Sequence, residues 1–202
     1  LLLDTCAILD IIRMPNRLRA SELNAVIKVN NAIKAKLCTL VAASIVPSEF
    51  KTIVQYTEFE RVKFLSDLQD SVENFHTACN SVELAVGTMY QFHPSSLPTI
   101  LRNIAQFILD NCIILNNQDN LKLRALDRVV FQKAPARKGG QIKDCIIVEE
   151  YLELAQQLHS SEFSCPLVFI SSNTKDFCVD NSFVRLLVRY CRVPLYPPYK
   201  KA

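Results

Sequence analysis

Three short, nearly uncharged runs punctuate this chain, and each ends on polar residues or a proline. They are Leu1–Leu3 before Asp4 and Thr5, Leu40–Val46 before Pro47, and Pro166–Ile170 before Ser171 and Ser172. Runs of this length and composition read as buried strands of a parallel sheet. Between them apolar residues recur at helical spacing, as at Leu23, Val26, Ile27, Ile33 and Leu37. Strands alternating with helices imply a parallel sheet with right-handed crossovers and one shared carboxyl edge. Ligands and catalytic groups gather outside that edge.

The remaining elements fall between these runs. Residues Cys6 to Arg13 predict a short helix stopped before Pro15, because a residue preceding proline avoids helical dihedrals. Ser21 is the predicted N-cap of the next helix, which runs to Leu37. Pro47 opens a helix and puts Glu49 in its first turn. From Phe50 to about Leu115 the pattern is helical throughout, with breaks near Cys79–Asn80 and His93–Pro98. Leu121 to Val130 continues it, so residues from about 60 to 130 read as a helical insertion, or lid, within an α/β core. Ala134–Gln141 is a loop carrying Arg137 and Lys138, with Lys133 just before it. Asp144 then stands near the start of a helix. Phe183–Tyr190 predicts a last short helix before a proline-rich coil.

With 202 residues, half of them hydrophobic, one domain spanning 1–202 is the expectation. A net charge of +3 permits a polyanionic partner without requiring one. No apolar run approaches the ~18 residues of a membrane span; no leader is expected, and the first strand is expected to begin before Leu1. A soluble, cytoplasmic protein is expected, with no membrane partner. The eight cysteines contain no CxxC pair and read as buried free thiols in a reducing compartment. His76-x-x-Cys79 is a single weak ligand pair. None of the three histidines has a partner at a spacing that suggests a Ser/His/Asp hydrolase.

The acids carry the chemistry. Asp4, Glu49 and Asp176 each follow a strand, and Asp144 opens a helix. If they converge, mutual repulsion raises the pKa of at least one of them. A divalent cation removes that cost, and Mg²⁺ or Mn²⁺ prefers such oxygen donors. A bound cation of this kind activates water for phosphodiester hydrolysis. Blander roles compete: Asp4 as a helix N-cap, Asp144 and Glu49 as first-turn acids, Asp176 as a solvated loop acid. Thr5, Ser171, Ser172 and Asn173 are candidate hydrogen-bonding groups at the site, and Arg137, Lys138 and Lys175 candidate phosphate contacts. Asp127 and Asp180 read as surface or salt-bridged acids. Glu149 and Glu150 are placed on the exposed side of their helix, with one touching the edge of the site. A phosphoryl transferase with a strand-end aspartate would want a second aspartate where Cys6 stands.

The segments LLLDT, KGGQIKDCIIVEEYLELA and VFISSNTKDF, in this order, resemble the PIN-domain nucleases over residues 1–50 and 135–180. The resemblance implies a three-layer α/β/α sandwich with a central parallel sheet, here with a large helical insertion. It also implies metal-dependent endoribonuclease activity with Mg²⁺ or Mn²⁺ held by acids. Residue by residue, Asp4 matches the first acid and Asp144 the acid opening the later helix. Asn173 and Asp176 match the polar end of the fourth motif. Glu49 matches the second acid but follows its proline more closely than in the family, which leaves Glu58 as the alternative. RNA is the implied substrate, and an inhibitory antitoxin protein or a second copy of the chain the implied partner. The competing reading is a catalytically weak or inactive PIN-like scaffold that binds protein or RNA.

Overall fold

The computed structural model describes residues 1–16, 20–85, 87, 92–136, 141–162, 166–173 and 177. In chain order the elements are β1 (Leu2–Leu3), α1 (Thr5–Ile12), a 3₁₀ turn (Met14–Asn16), α2 (Ala20–Lys34), β2 (Leu40–Ala42) and α3 (Val46–Ser81). They continue with α4 (Ser96–Asp110), β3 (Cys112–Ile114), α5 (Asp119–Val130), α6 (Ile142–Ser160) and β4 (Phe169–Ile170). The four strands form one sheet in the order β3-β2-β1-β4. Every pair is parallel: Leu2 faces Val41 and Phe169, and Val41 faces Ile113. Asp4 therefore follows a central strand, as the alternating pattern predicts.

The chain divides into two compact units. The first comprises Leu1–Ala7, Cys38–Glu49 and the described residues from Cys112 onward, and holds the sheet, α5 and α6. Leu2, Leu40 and Ala42 are buried there, as are Ile147, Val148 and Tyr151 of α6. Tyr151, Phe169 and Phe177 stack edge to face, with centroids 5.7 and 5.0 Å apart, a geometry favoured by the ring quadrupoles. Ala125 of α5, Ala136 and Cys145 of α6 make a second small cluster with Val129, Ile142 and Ile146 around it.

The second unit is Ile8–Leu37 with Phe50–Asn111. Its α4 buries Leu101, Ala105, Ile108 and Leu109, the i, i+4, i+7, i+8 stripe of an amphipathic helix. Glu58 of α3 accepts a 3.0 Å hydrogen bond from Thr99 of α4 and pairs with Arg102 at 3.3 Å.

Several boundaries differ from the sequence expectation. Leu40–Val46 was expected to be one strand, but β2 stops at Ala42 and the chain turns into α3 at Val46. The predicted helix through Leu115 ends at Asp110, and Cys112–Ile114 becomes the edge strand β3. A three-residue apolar run is ambiguous by periodicity, and pairing with β2 decides it. Ser21 is not an N-cap, because α2 already begins at Ala20. α3 runs unbroken through Cys79 and Asn80. Phe183–Tyr190 lies outside the described residues.

Candidate active site

The site is built within the first unit, at the carboxyl edge of the sheet. β1 delivers Asp4, whose backbone N–H donates to Ile170 of β4 at 3.1 Å. Its side chain is 3% exposed. The Cys6 thiol donates to Asp4 Oδ2 at 2.7 Å and the Ser171 hydroxyl to the same oxygen at 2.6 Å. Burial first, then the Asp4 charge, pushes the Cys6 thiol above its ordinary value, which keeps it a donor. Although Asp4 stands just before α1, its side chain makes no capping bond to that helix among the described residues, so the cap reading does not describe it.

The next residue ties in the second acid. Thr5 Oγ1 donates to Glu49 Oε2 at 2.6 Å. Glu49 lies in the first turn of α3, and its other oxygen meets Lys143 at 3.3 Å. Lys143 is the neighbour of Asp144 in the first turn of α6. Asn173 closes the circuit: its Nδ2 makes a long contact of 3.5 Å to Asp144 Oδ2, and its N–H donates to Ser171 Oγ at 3.0 Å. Side-chain contacts thus link Asp4 to Asp144 through Ser171 and Asn173, and Glu49 to Thr5 and Lys143, the chain neighbours of Asp4 and Asp144. Glu58, the alternative second acid, is bonded instead to Thr99 and Arg102 on α4. Exposed Ser172 donates its N–H to Cys6 Sγ at 3.3 Å. Asp176, Lys175, Arg137, Lys138 and Asp180 lie outside the described residues.

The sequence reading misplaced two neighbours. Glu149 and Glu150 are 4% and 2% exposed, not on an open face. Glu149 pairs with Arg124 at 2.7 Å and with Arg128. Glu150 accepts from the Ser44 N–H at 2.6 Å and the Ser44 hydroxyl at 2.5 Å. Beside it, Tyr151 donates its hydroxyl to the Leu3 carbonyl at 2.5 Å and accepts from the Ala43 N–H at 3.1 Å. Burial raises the Tyr151 phenol, so it stays protonated and able to bridge. The signal for Glu150 is its spacing: it stands three residues after Ile147 and four before Leu154, on an apolar stripe. Lys143 was also missed, since contact with Glu49 depends on the packing of α6 against the start of α3.

A family model described as a PIN domain matches residues 1–177 of the 202. The chain belongs to the PIN-domain family. No curated protein and no solved structure matches it. The parallel sheet flanked by helices is the α/β fold of that family, and with it comes a nuclease-like architecture. PIN domains typically use divalent metals, so the fit of the residues here matters. Among the described residues no three His, Cys, Asp or Glu side chains are grouped tightly enough to hold a metal ion. The donors that are present suit one in kind: carboxylate and hydroxyl oxygens are what Mg²⁺ and Mn²⁺ take. Among the described residues both donors to Asp4 meet a single oxygen, Oδ2. No described residue bonds its Oδ1. Among the described residues His76 and Cys79 form no part of a metal group. The described cysteines, Cys6, Cys38, Cys79, Cys112 and Cys145, are all free, but only Cys79 and Cys145 are buried. None of the described helices is long and apolar enough to cross a membrane.

Proposed function

We propose that this PIN-domain protein is a metal-dependent endoribonuclease. The observation that carries the reading is that Asp4 is linked to Asp144 through Ser171 and Asn173, while Glu49 is held by Thr5 and Lys143, the residues next to those two acids. These three acids, together with Asp176, would hold Mg²⁺ or Mn²⁺. The bound cation would supply an activated water and neutralise charge building on the phosphate. The chain's own residues set the donors. Cys6 and Ser171 hold Asp4, Thr5 holds Glu49, and Asn173 contacts Asp144. Lys143, 58% exposed, offsets the charge on Glu49 and is within reach of an incoming phosphate. Arg137, Lys138 and Lys175 are proposed contacts to the RNA backbone, with Ser172 beside them. No side chain need act as nucleophile.

Metal-dependent cleavage of a single-stranded RNA tests this. Wild-type protein should cut with Mg²⁺ or Mn²⁺ and not with EDTA, and Asp4→Asn and Asp144→Asn should each lower cutting by roughly 10²-fold or more. Unchanged cutting by both variants would sink the reading. One observation favours the second reading, an inactive PIN-like scaffold: the described acids do not by themselves make a closed metal group. That reading expects RNA or protein binding without metal-dependent cleavage. An antitoxin or a second copy of the chain is the proposed protein partner, and the free thiols favour a reducing, cytoplasmic setting.

A further inference from the structure

Glu150 is a buried carboxylate with no cation beside it among the described residues. It is 2% exposed, and its bonds are to the N–H and hydroxyl of Ser44. No ion pair reaches it among the described residues. Its neighbour Glu149, equally buried, is held by two arginines. Burying a carboxylate on neutral donors alone is costly, and an apolar side chain of similar size often packs as well. The place of the contact supplies a reason for a hydrogen-bonding side chain there. Ser44 lies in the turn between β2 and α3. Its hydroxyl is directed to Glu150 rather than into a cap of the helix. That turn carries the carbonyls on which α3 begins: the Val46 N–H donates to Ala43 at 3.0 Å and the Glu49 N–H to Ile45 at 3.1 Å. A negative charge beneath the amino end of α3 is also favoured by the helix dipole. The next α6 residue, Tyr151, bridges the ends of β1 and β2 directly before Asp4 and Ser44.

We propose that Glu150 is a positioning residue, which sets Glu49 by clamping the turn that opens α3. The inference rests on the nuclease reading of the site. In this arrangement α6 acts as a strut. Its first turn presents Asp144, and two turns later Glu150 and Tyr151 fix the strand ends that present Glu49 and Asp4.

The test compares the full chain with Glu150→Ala, Glu150→Gln, Ser44→Ala and Arg128→Ala. The readouts are Mn²⁺ affinity by calorimetry, kcat and KM on a single-stranded RNA, and melting temperature. Glu150→Ala should weaken Mn²⁺ binding and lower kcat, each roughly 10- to 100-fold, as for other groups that orient metal ligands. Its KM should stay within about twofold, because no RNA contact is removed. Ser44→Ala should move both quantities the same way by less. Glu150→Gln should recover most of the loss, since an amide can accept from the Ser44 N–H and donate to its hydroxyl. Arg128→Ala, which loosens Glu149, should lower the melting temperature and leave Mn²⁺ affinity and kcat intact. Wild-type values in Glu150→Ala overturn the proposal, and so does an equal loss in Arg128→Ala. If Glu150→Ala does not fold, Ser44→Ala decides: weaker Mn²⁺ binding supports the clamp and unchanged binding overturns it. A wild type that binds Mn²⁺ but cuts no RNA overturns the nuclease reading alone, and the affinity series still judges Glu150. A wild type that binds no Mn²⁺ overturns both.

Discussion

Asp4 at the sheet edge and Glu58 in the helical unit are each held by two side chains, and the partners differ in kind. Asp4 accepts from a thiol and a hydroxyl, both neutral. Glu58 accepts from a hydroxyl and pairs with the Arg102 guanidinium. The same contrast recurs nearby. Among the described residues Glu150 is bonded to Ser44, whereas Asp10 meets Arg13 and Glu60 meets Arg61 in the helical unit. An arginine partner cancels a carboxylate's charge; a neutral donor orients the carboxylate and leaves the charge in place. A buried carboxylate of the second sort is costly on its own and is ready for a cation. In the helical unit Glu58, Asp10 and Glu60 each meet an arginine, whereas at the sheet edge Asp4 is held by neutral donors and Glu49 by a hydroxyl and a lysine.

The largest effect expected from this contrast is a split between activity and stability at Asp4. Asp4→Asn should lower metal-dependent cleavage by roughly 10²- to 10³-fold, the range for losing one preorganised electrostatic group. It should leave the melting temperature unchanged or raise it, because a buried charge is removed while Ser171 can rotate to accept from the amide. A clear drop in melting temperature would show that Asp4 is structural, and the contrast with Glu58 would break.

Tyr151 and Arg128 sharpen the comparison from the structural side. Tyr151→Phe strips a bridge from the Leu3 carbonyl and the Ala43 N–H, both at buried strand ends. Leaving such groups unsatisfied costs about 1–3 kcal/mol, read as a lower urea midpoint with an unchanged slope. Cleavage should fall as well, since the bridged strand ends carry the acids. Arg128→Ala removes one of two cations from Glu149. With Arg124 still in place the loss should be smaller than the ~3–5 kcal/mol for wholly orphaning a buried charge. Urea unfolding measures it, and cleavage should not change.

What the sequence made legible follows the same divide. The strands beginning at Leu2, Leu40 and Phe169 could be read because buried parallel strands are uninterrupted apolar runs, and the placing of Asp4 and Glu49 after two of them came with that. β3 was not legible. Cys112–Ile114 follows a helix with one residue between, and only pairing with Val41 and its neighbours makes it a strand. The donors that orient the acids were hidden for a different reason. Ser171 lies 167 positions from Asp4 and Lys143 is 94 beyond Glu49, so each contact is a product of the tertiary fold. Glu150 was misread because charge alone argued for exposure. Its position on the apolar stripe of α6 argued the other way and proved the better guide.

The smallest effect belongs to the helical unit. Arg102 pairs with Glu58 from a side chain that is 42% exposed. Water screens such a pair, and ordering two long side chains offsets much of the attraction, so exposed pairs contribute about 0–1 kcal/mol. Arg102→Ala should therefore shift the urea midpoint barely, and raising the salt concentration should shrink even that difference. Glu58 keeps its Thr99 bond, so the carboxylate stays oriented without its cation. Cleavage should be unaffected at every salt concentration. If Arg102→Ala instead lowered metal-dependent cleavage without loss of fold, Glu58 would have to be counted with the acids of the site, and the assignment of the second acid to Glu49 would be wrong.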